Sequence, residues 1–421
     1  MALVVHVLFS FPSDAATITL EAAIARAQNH PKARAAAVRA RAAAFDAKAQ
    51  RGAYYPEVDV ATTASAGFSG SSGGLGITGM NNSPARQYFG AAIELRQNIW
   101  DFGRTLGRVR AAVRSTERAE AESFVIRDDL ALEVTRRYFE ALAADAVVDA
   151  AKERIVATTQ LYDQSVSLAD SGMRPRAEVA LAELDRAAAR SLLVEAAAEA
   201  HAAKARLAAL IGADVANPPT PTPRAVLLAA PPSVAALLPK TANRPEIAAA
   251  RTAIEEARAR TAAARAEHLP RLVATGSLGY AHPPDGKDPG FWAVGIGLVW
   301  PLFRGFADAN RIKAAALRVD EATHHLRDRE DDVRLELVLA HQRVRAALDL
   351  ARVTADELTR AELATAATRA TFAAGLLPYG DVARASLAVT AARARLAAAR
   401  FRYAIARAEL ARAAGLSPIL E

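Results

Sequence analysis

The side chains that could do covalent or metal chemistry are few in this chain, and their spacing argues against each use. Asp101-Phe102-Gly103 has the tripeptide that holds magnesium in protein kinases, yet no glycine-rich loop, lysine-bearing strand or catalytic loop accompanies it. It reads instead as the end of a strand and the start of a helix. Gly295-x-Gly297 lies inside an alternating stretch with no helix after it, so it is not a dinucleotide-binding turn. His324 and His325 are neighbours on a helical stretch and point apart, which favours solvated surface over metal ligation. There is no phosphate-binding loop and no cysteine, so thiol catalysis, thiolate metal sites, disulfides and cysteine lipidation within the chain are excluded. The expectation is a non-enzyme without cofactor or metal.

Composition points to helix. The 421 residues are rich in alanine and poor in glycine and aromatics, and charges are spread along the alanine-rich runs. The net charge is +7, but arginines alternate with Glu and Asp instead of clustering, which argues against a nucleic-acid-binding face. Residues 1–16 hold an apolar run, Met1 to Phe11, too short to span a bilayer, followed by small residues suited to signal cleavage. The positive leading segment is missing, so this reads as a secretory remnant or a start-site artefact.

Two stretches of the chain repeat one pattern. His30-Pro31 recurs as Arg244-Pro245 and Tyr55-Pro56 as Leu269-Pro270, each pair 214 residues apart. Trp100 recurs as Phe303, Gly172-x-x-Pro175 as Gly375-x-x-Pro378, and Gly212 as Gly415, all 203 apart. The register changes once, between Pro56 and Trp100. A length change tolerated at one place marks a loop there and rigid elements elsewhere. The predicted organisation is a first repeat at 17–216, a proline-rich extended linker at 217–232 and a second repeat at 233–421.

Each repeat reads as helix, β-hairpin, long helix and return helix. In the first, helix is predicted over Leu20–Ala53 with a break at His30, strands over 58–68 and 89–100, a long helix over 104–171 and a return helix over 175–211. In the second, a short helical piece at 233–238 precedes a helix over 245–268, strands at 272–280 and 292–300, a long helix over 306–374 and a return helix over 379–414. Leu130, Val134, Tyr138 and Leu142 recur at four-residue steps, and Val333, Leu337, Val344 and Leu348 at steps of four and seven. Gly172-Met173-Arg174-Pro175 and Gly375-Leu376-Leu377-Pro378 are tight turns, with a glycine to end one helix and a proline to begin the next. In each repeat the two shorter helical stretches together match the long one, at about 100 Å for 1.5 Å per residue, so they could stack end to end alongside it.

The strands decide the compartment. Trp292, Val294, Ile296, Leu298 and Trp300 share one face, and Ala293, Gly295, Gly297 and Val299 the other. Phe89, Ala91, Ile93, Leu95 and Ile99 oppose Gly90, Glu94, Arg96 and Asn98; Val58, Val60, Ala64 and Phe68 oppose Asp59, Thr63 and Ser65. One side is apolar with aromatics towards the ends; the other is small or polar. That is the pattern of a transmembrane β-barrel strand, with Trp292, Trp300, Phe89 and Trp100 as membrane girdle. Four strands are too few, since about eight close a barrel, and an open edge cannot sit in lipid. The chain must therefore oligomerise, in a copy number that the strands do not specify.

These residues resemble the outer-membrane efflux protein (TolC) family. The resemblance runs from Ile18 to Pro418 and rests on Thr19-Leu20-Glu21-Ala22-Ala23 before Asn29-His30-Pro31, on Tyr55-Pro56, on Asn98-Ile99-Trp100-Asp101-Phe102-Gly103-Arg104, and on Trp300-Pro301-Leu302-Phe303-Arg304-Gly305. It implies a mainly α protein with transmembrane β structure, whose homotrimer forms a twelve-stranded barrel above a long helical barrel. It further implies an outer-membrane channel that extends into the periplasm, contacts outer-membrane lipid and passively conducts substrates. The implied partners are a periplasmic adaptor, or membrane fusion protein, and an inner-membrane pump of RND or ABC type. The adaptor would dock at the turns Gly172, Met173, Arg174, Pro175 and Gly375, Leu376, Leu377, Pro378. The family closes its periplasmic end through a tyrosine, an arginine and two aspartates at the second turn. Aligned on Gly375, this chain has Phe372 for the tyrosine and Leu377 for the arginine, keeps Asp381, and has Arg384 for the second aspartate. Glu178 holds the same repeat position as Asp381. Asp381 with Arg384 is the candidate gate pair, with Phe372 and Glu178 beside it. The alternative from another class is a soluble periplasmic coiled-coil adaptor or scaffold without a pore. An adaptor would carry one helical hairpin between β-domains, whereas here strands lie between helices twice.

Overall fold

A computed structural model describes residues 17–66, 87–282 and 290–416. The expected signal remnant at 1–16 and the face position of Phe68 lie outside the described residues. Two short strands, β1 (Thr17–Ile18) and β4 (Thr220–Pro221), accompany four long ones: β2 (Glu57–Ala66), β3 (Gln87–Trp100), β5 (Arg271–His282) and β6 (Gly290–Val299). The helices are α1 (Leu20–Ala27), α2 (Pro31–Arg51), α3 (Arg104–Asp170), α4 (Arg176–Ile211), α5 (Val234–Leu237), α6 (Pro245–Ala266), α7 (Ala307–Ala373) and α8 (Tyr379–Ala413). Order and type follow the predicted repeat, with 3₁₀ turns at Gly52–Tyr54, where the first predicted helix ends, and at Leu238–Asn243, between the two helical pieces predicted at 233–238 and 245–268.

The chain divides into two compact units, each drawing on both repeats. One comprises residues 36–123 and 246–330, the other residues up to 35, 124–245 and 331 onward.

The first unit holds the long strands. They form one antiparallel sheet in the order β2-β3-β5-β6, so the two hairpins join edge to edge through β3 and β5. Among the described residues, β2 and β6 each have a strand on one side only. Below the sheet, α3 and α6 approach so closely that a Cβ on Gly107 would sit 2.8 Å from the Ala263 nitrogen. Glu256, nearly fully buried on α6, is held there by Arg118 Nε at 3.0 Å and by Arg260.

The second unit is built on helices whose buried positions are the ones the periodicity picks out. Leu130, Val134, Tyr138 and Leu142 of α3 pack with Leu20, Ile24 and Leu207. Leu337, Val344 and Leu348 of α7 pack with Tyr403 and Leu410 of α8. Alanine at such contacts, as at Ala182, Ala189 and Ala404, leaves room for helices to lie close. The linker is more than a spacer. Within it β4 pairs in parallel with β1, Thr17 opposite Thr220. The Tyr138 hydroxyl fastens that pair by donating to Thr222 O at 2.7 Å and Ile18 O at 3.3 Å. Tyr403 does the same further along, donating to Ala229 O at 2.7 Å.

Candidate functional site

The residues singled out in the sequence fall in two regions: the sheet with its corners, and the paired helical turns of the other unit.

Directly opposite residues of antiparallel strands share a face, so the register sorts the sheet. Val58, Leu95, Gly276 and Val294 form one cross-strand row, and Val60, Ile93, Leu278 and Trp292 the next. Ala274 with Ile296 and Leu272 with Leu298 continue the same face. This face is apolar and unpacked: Trp292, Val294, Ile296 and Leu298 are 65–80 % exposed. The other face carries Glu57, Arg96, Thr275 and Gly295 in one row and Asp59, Glu94, Ser277 and Ala293 in another. A soluble sheet hides its apolar face and wets its polar one; this sheet leaves the apolar face bare across all four strands. Trp292 and Trp300 stand eight residues apart, about 26 Å at ~3.3 Å per residue, close to the apolar band of an outer-membrane barrel. Trp300 and Trp100 lie exposed at the helix-side end of the strands, Trp300 just beyond β6. Phe89 belongs to β3 by its backbone, and its side chain lies outside the described residues.

Asp101 closes β3 and opens α3. Its carboxylate accepts from Thr105 N at 2.8 Å and Gly103 N at 3.2 Å, capping the helix as the sequence reading requires. Phe102 and Phe306, at the two strand-to-helix corners, have φ of +53° and +62°. A left-handed conformation costs a non-glycine residue about 1–2 kcal/mol. His324 and His325 are exposed on α7, with His325 3.9 Å from Glu321.

In the other unit the two tight turns have one design. Gly172 and Gly375, both at φ +74°, end α3 and α7. Met173 N donates to Leu168 O at 3.0 Å and Gly172 N to Ala169 O at 3.0 Å; Leu376 N to Thr371 O and Gly375 N to Phe372 O repeat the pattern. This is the Schellman closure, which only a left-handed residue completes. Pro175 and Pro378 then start α4 and α8, with Glu178 and Asp381 in the first turn, where a carboxylate favours the positive helix end.

The turns differ in what they show outward. Met173 and Leu376 project, 60 % and 75 % exposed. Arg174 folds inward, and its guanidinium donates to Gly375 O at 2.8 Å and to Leu377 O, with Glu178 3.6 Å away. One turn thus clasps the other. Leu377 supplies a main-chain carbonyl to an arginine from the opposite turn. Sequence reasoning put Arg174 among the docking residues; nothing in it signalled a partner two hundred positions away.

Phe372 is fully buried, packed with Leu161, Leu168, Ala182, Tyr379 and Val382. Its ring meets Tyr379 edge-on at 6.2 Å, so within one copy of the chain it packs between the two hairpins. Asp381 and Arg384 form an outward ion pair at 3.8 Å, with the Arg384 side chain 81 % exposed. The polar contact inside the tip lies elsewhere. Tyr379 OH donates to Asp185 Oδ2 at 3.2 Å, and Arg154 Nη2 reaches Asp185 Oδ1 at 2.5 Å. Burial, then the Asp185 charge and hydrogen bond, push the Tyr379 phenol above its ordinary pKa, against a pull from Arg154.

Residues 25–213 and 240–416 match the family described as Outer membrane efflux protein, one segment in each repeat. The chain belongs to the outer membrane efflux protein family. That is a family of channels and transport proteins, not of enzymes. Protein CyaE of Bordetella pertussis is 30 % identical over 318 residues, 72 % of this chain and 63 % of CyaE. The chain thus spans under two thirds of that relative's length. Among solved structures, CusC aligns with a TM-score of 0.78 at 19 % identity, covering 94 % of this chain and 92 % of that one. The outer membrane protein VceC of Vibrio cholerae aligns at 0.75 and 20 % identity, covering 94 % and 96 %. At such identities the likeness speaks for the fold: mostly helical, with the architecture of outer-membrane channels. No helix of the described residues is long and apolar enough to cross a membrane.

Proposed function

We propose that this chain is the protomer of an outer-membrane exit duct: three copies close a twelve-stranded barrel, and their helices continue it through the periplasm. The observation that carries the reading is the bare apolar face shared by four strands, together with the open edges at β2 and β6. Such edges are excluded from lipid unless copies pair them. The small and polar opposite face then lines the conduit. The duct is passive, and its energy comes from an inner-membrane pump, proton-driven or ATP-driven, joined through a periplasmic adaptor. Met173 and Leu376, the exposed apolar residues of the two tips, are the adaptor's contacts. Asp381 with Arg384 faces outward where a neighbouring copy can reach it, a position from which it can act as a gate pair. The Arg174 clasp holds the two tips of one protomer together behind it.

Reconstitution into a planar bilayer tests this reading. The duct requires a detergent-extracted oligomer recovered from the outer membrane that produces discrete conductance steps. A soluble monomer without conductance would instead match the adaptor alternative.

A further inference from the structure

A groove of about 340 Å³ is walled by α3, α7 and α8, all within the helical unit. Its lining spans residues 362–369 of α7 and 386–393 of α8, about 10 Å of helix at 1.5 Å per residue. Three arginines and two glutamates stand in it. Arg393 takes both carboxylates: it pairs with Glu153 of α3 and, at 2.9 Å, with Glu362 of α7. Arg154 and Arg369 are left with donors to spare. Arg154 meets Asp185 through Nη2, and its buried Nε and Nη1 have no acceptor. Arg369 has neither an ion pair nor a hydrogen bond among the described residues, and its Nε is buried.

Buried cationic donors without acceptors are costly, so the groove favours an anion. Its remaining wall is aliphatic, with Val156 and Ala157 from α3, Ala366 from α7 and Val389 from α8. Charge and wall together specify an occupant with an acidic head and a carbon body.

We propose that this groove binds an organic carboxylate, its head on Arg369 and the spare donors of Arg154, its carbon chain along Val156, Ala157, Ala366 and Val389. A guanidinium meets a carboxylate in two-point contact, and methylenes gain by leaving water for an aliphatic wall. An inorganic oxyanion would answer the arginines and leave the wall wet. An alcohol or an amine of the same length would leave the arginines unanswered. The site is built within one copy of the chain and does not depend on copies closing a barrel.

The test titrates the full chain in detergent with hexanoate, read by saturation-transfer NMR. Hexanol, hexylammonium, acetate and inorganic phosphate are the comparison probes. Hexanoate is expected to bind saturably and more tightly than acetate, by about twofold for each added methylene. Hexanol and hexylammonium are expected to show no saturable binding. Arg369→Gln should weaken hexanoate about tenfold. The melting temperature of that variant should match the parent, because Arg369 holds no other group, and hexanoate should raise the parent's alone. Equal affinity in parent and variant overturns the proposal, since it would put the probe in the micelle or elsewhere on the chain. So does hexanol binding as tightly as hexanoate, which would leave an apolar groove, or phosphate binding as tightly, which would leave an inorganic ion site. Binding is read without conductance. A chain that takes hexanoate and conducts nothing loses the duct and keeps this site; one that conducts and takes none loses the site alone.

Discussion

The guanidinium of Arg174, in the turn between α3 and α4, donates to the main-chain carbonyl of Leu377, in the turn between α7 and α8. Helix ends leave carbonyls without internal partners, and a charged donor from another segment is among the stronger ways to satisfy them. Arg174→Gln keeps part of the side chain and loses the charge and the fork. The expected cost is about 2 kcal/mol, felt at the tip. Amide exchange at Leu376 and Leu377 should accelerate, and bilayer recordings should show longer or more frequent open events. Equal exchange in variant and parent would mean that the clasp holds nothing.

A second polar contact lies deeper, an ion pair within the first hairpin that Tyr379 of the second hairpin joins. Asp185 pairs with Arg154, whose side chain is only 8 % exposed and whose Nε and Nη1 have no acceptor. Removing the partner of a buried charge costs more than the pair itself contributes. Asp185→Asn is therefore expected to destabilise the tip by about 3–5 kcal/mol, whereas Arg154→Met should cost less. Thermal melts of the two variants check the ordering.

Tyr379 makes the same contact pH-dependent. Its phenol is raised in the folded chain, so the folded state keeps the proton longer than the unfolded one. The contribution is fully present below the ordinary phenol pKa of about 10 and is lost as pH climbs above it. Melting temperature should fall as pH rises above about 10, and Tyr379→Phe should reduce that fall. Tyr138, also raised by burial, would account for part of what persists.

The long elements were legible because punctuation and period agree. Gly172, Pro175, Gly375 and Pro378 stop and start helices where glycine and proline must, and four-residue steps such as Leu130–Val134–Tyr138 name the buried stripe. The β1–β4 pair was not legible, since two residues within a proline-rich stretch have no period to read. The inward turn of Arg174 was hidden for another reason: an arginine beside a tight turn looks solvent-facing until its acceptors arrive from the other repeat. The burial of Phe372 was not legible from its alignment with the family's tyrosine. Its ring packs against Tyr379, whose hydroxyl reaches the Asp185 carboxylate that Arg154 also holds. The corner phenylalanines were passed over because left-handed backbone at a bulky residue has no sequence signature.

Gly107 tests helix packing under the sheet. A Cβ there would lie 2.8–2.9 Å from the nitrogen, Cα and Cβ of Ala263, two of them backbone atoms that no rotamer change can move. Gly107→Val should force α3 and α6 apart and cost about 2–3 kcal/mol in detergent-solubilised protein. Ala263→Gly removes only one of the three contacts, so it should rescue the variant in part. Full rescue would place the clash in the side chain alone.

The absence of cysteine makes the faces of β6 directly testable. Single cysteines at Val294, Gly295, Ile296 and Gly297, each carrying a spin label, alternate between the two faces of the strand. If copies of the chain close a barrel, labels at 294 and 296 should collide with lipid-soluble oxygen, and those at 295 and 297 with a water-soluble nickel complex. Period two is essential to the result, because a one-residue slip would invert every position. A uniform response along the four sites would describe a strand packed on protein. The inverse pattern would put the apolar row of Val294 and Ile296 inside the conduit, where no hydrocarbon offsets its exposure to water.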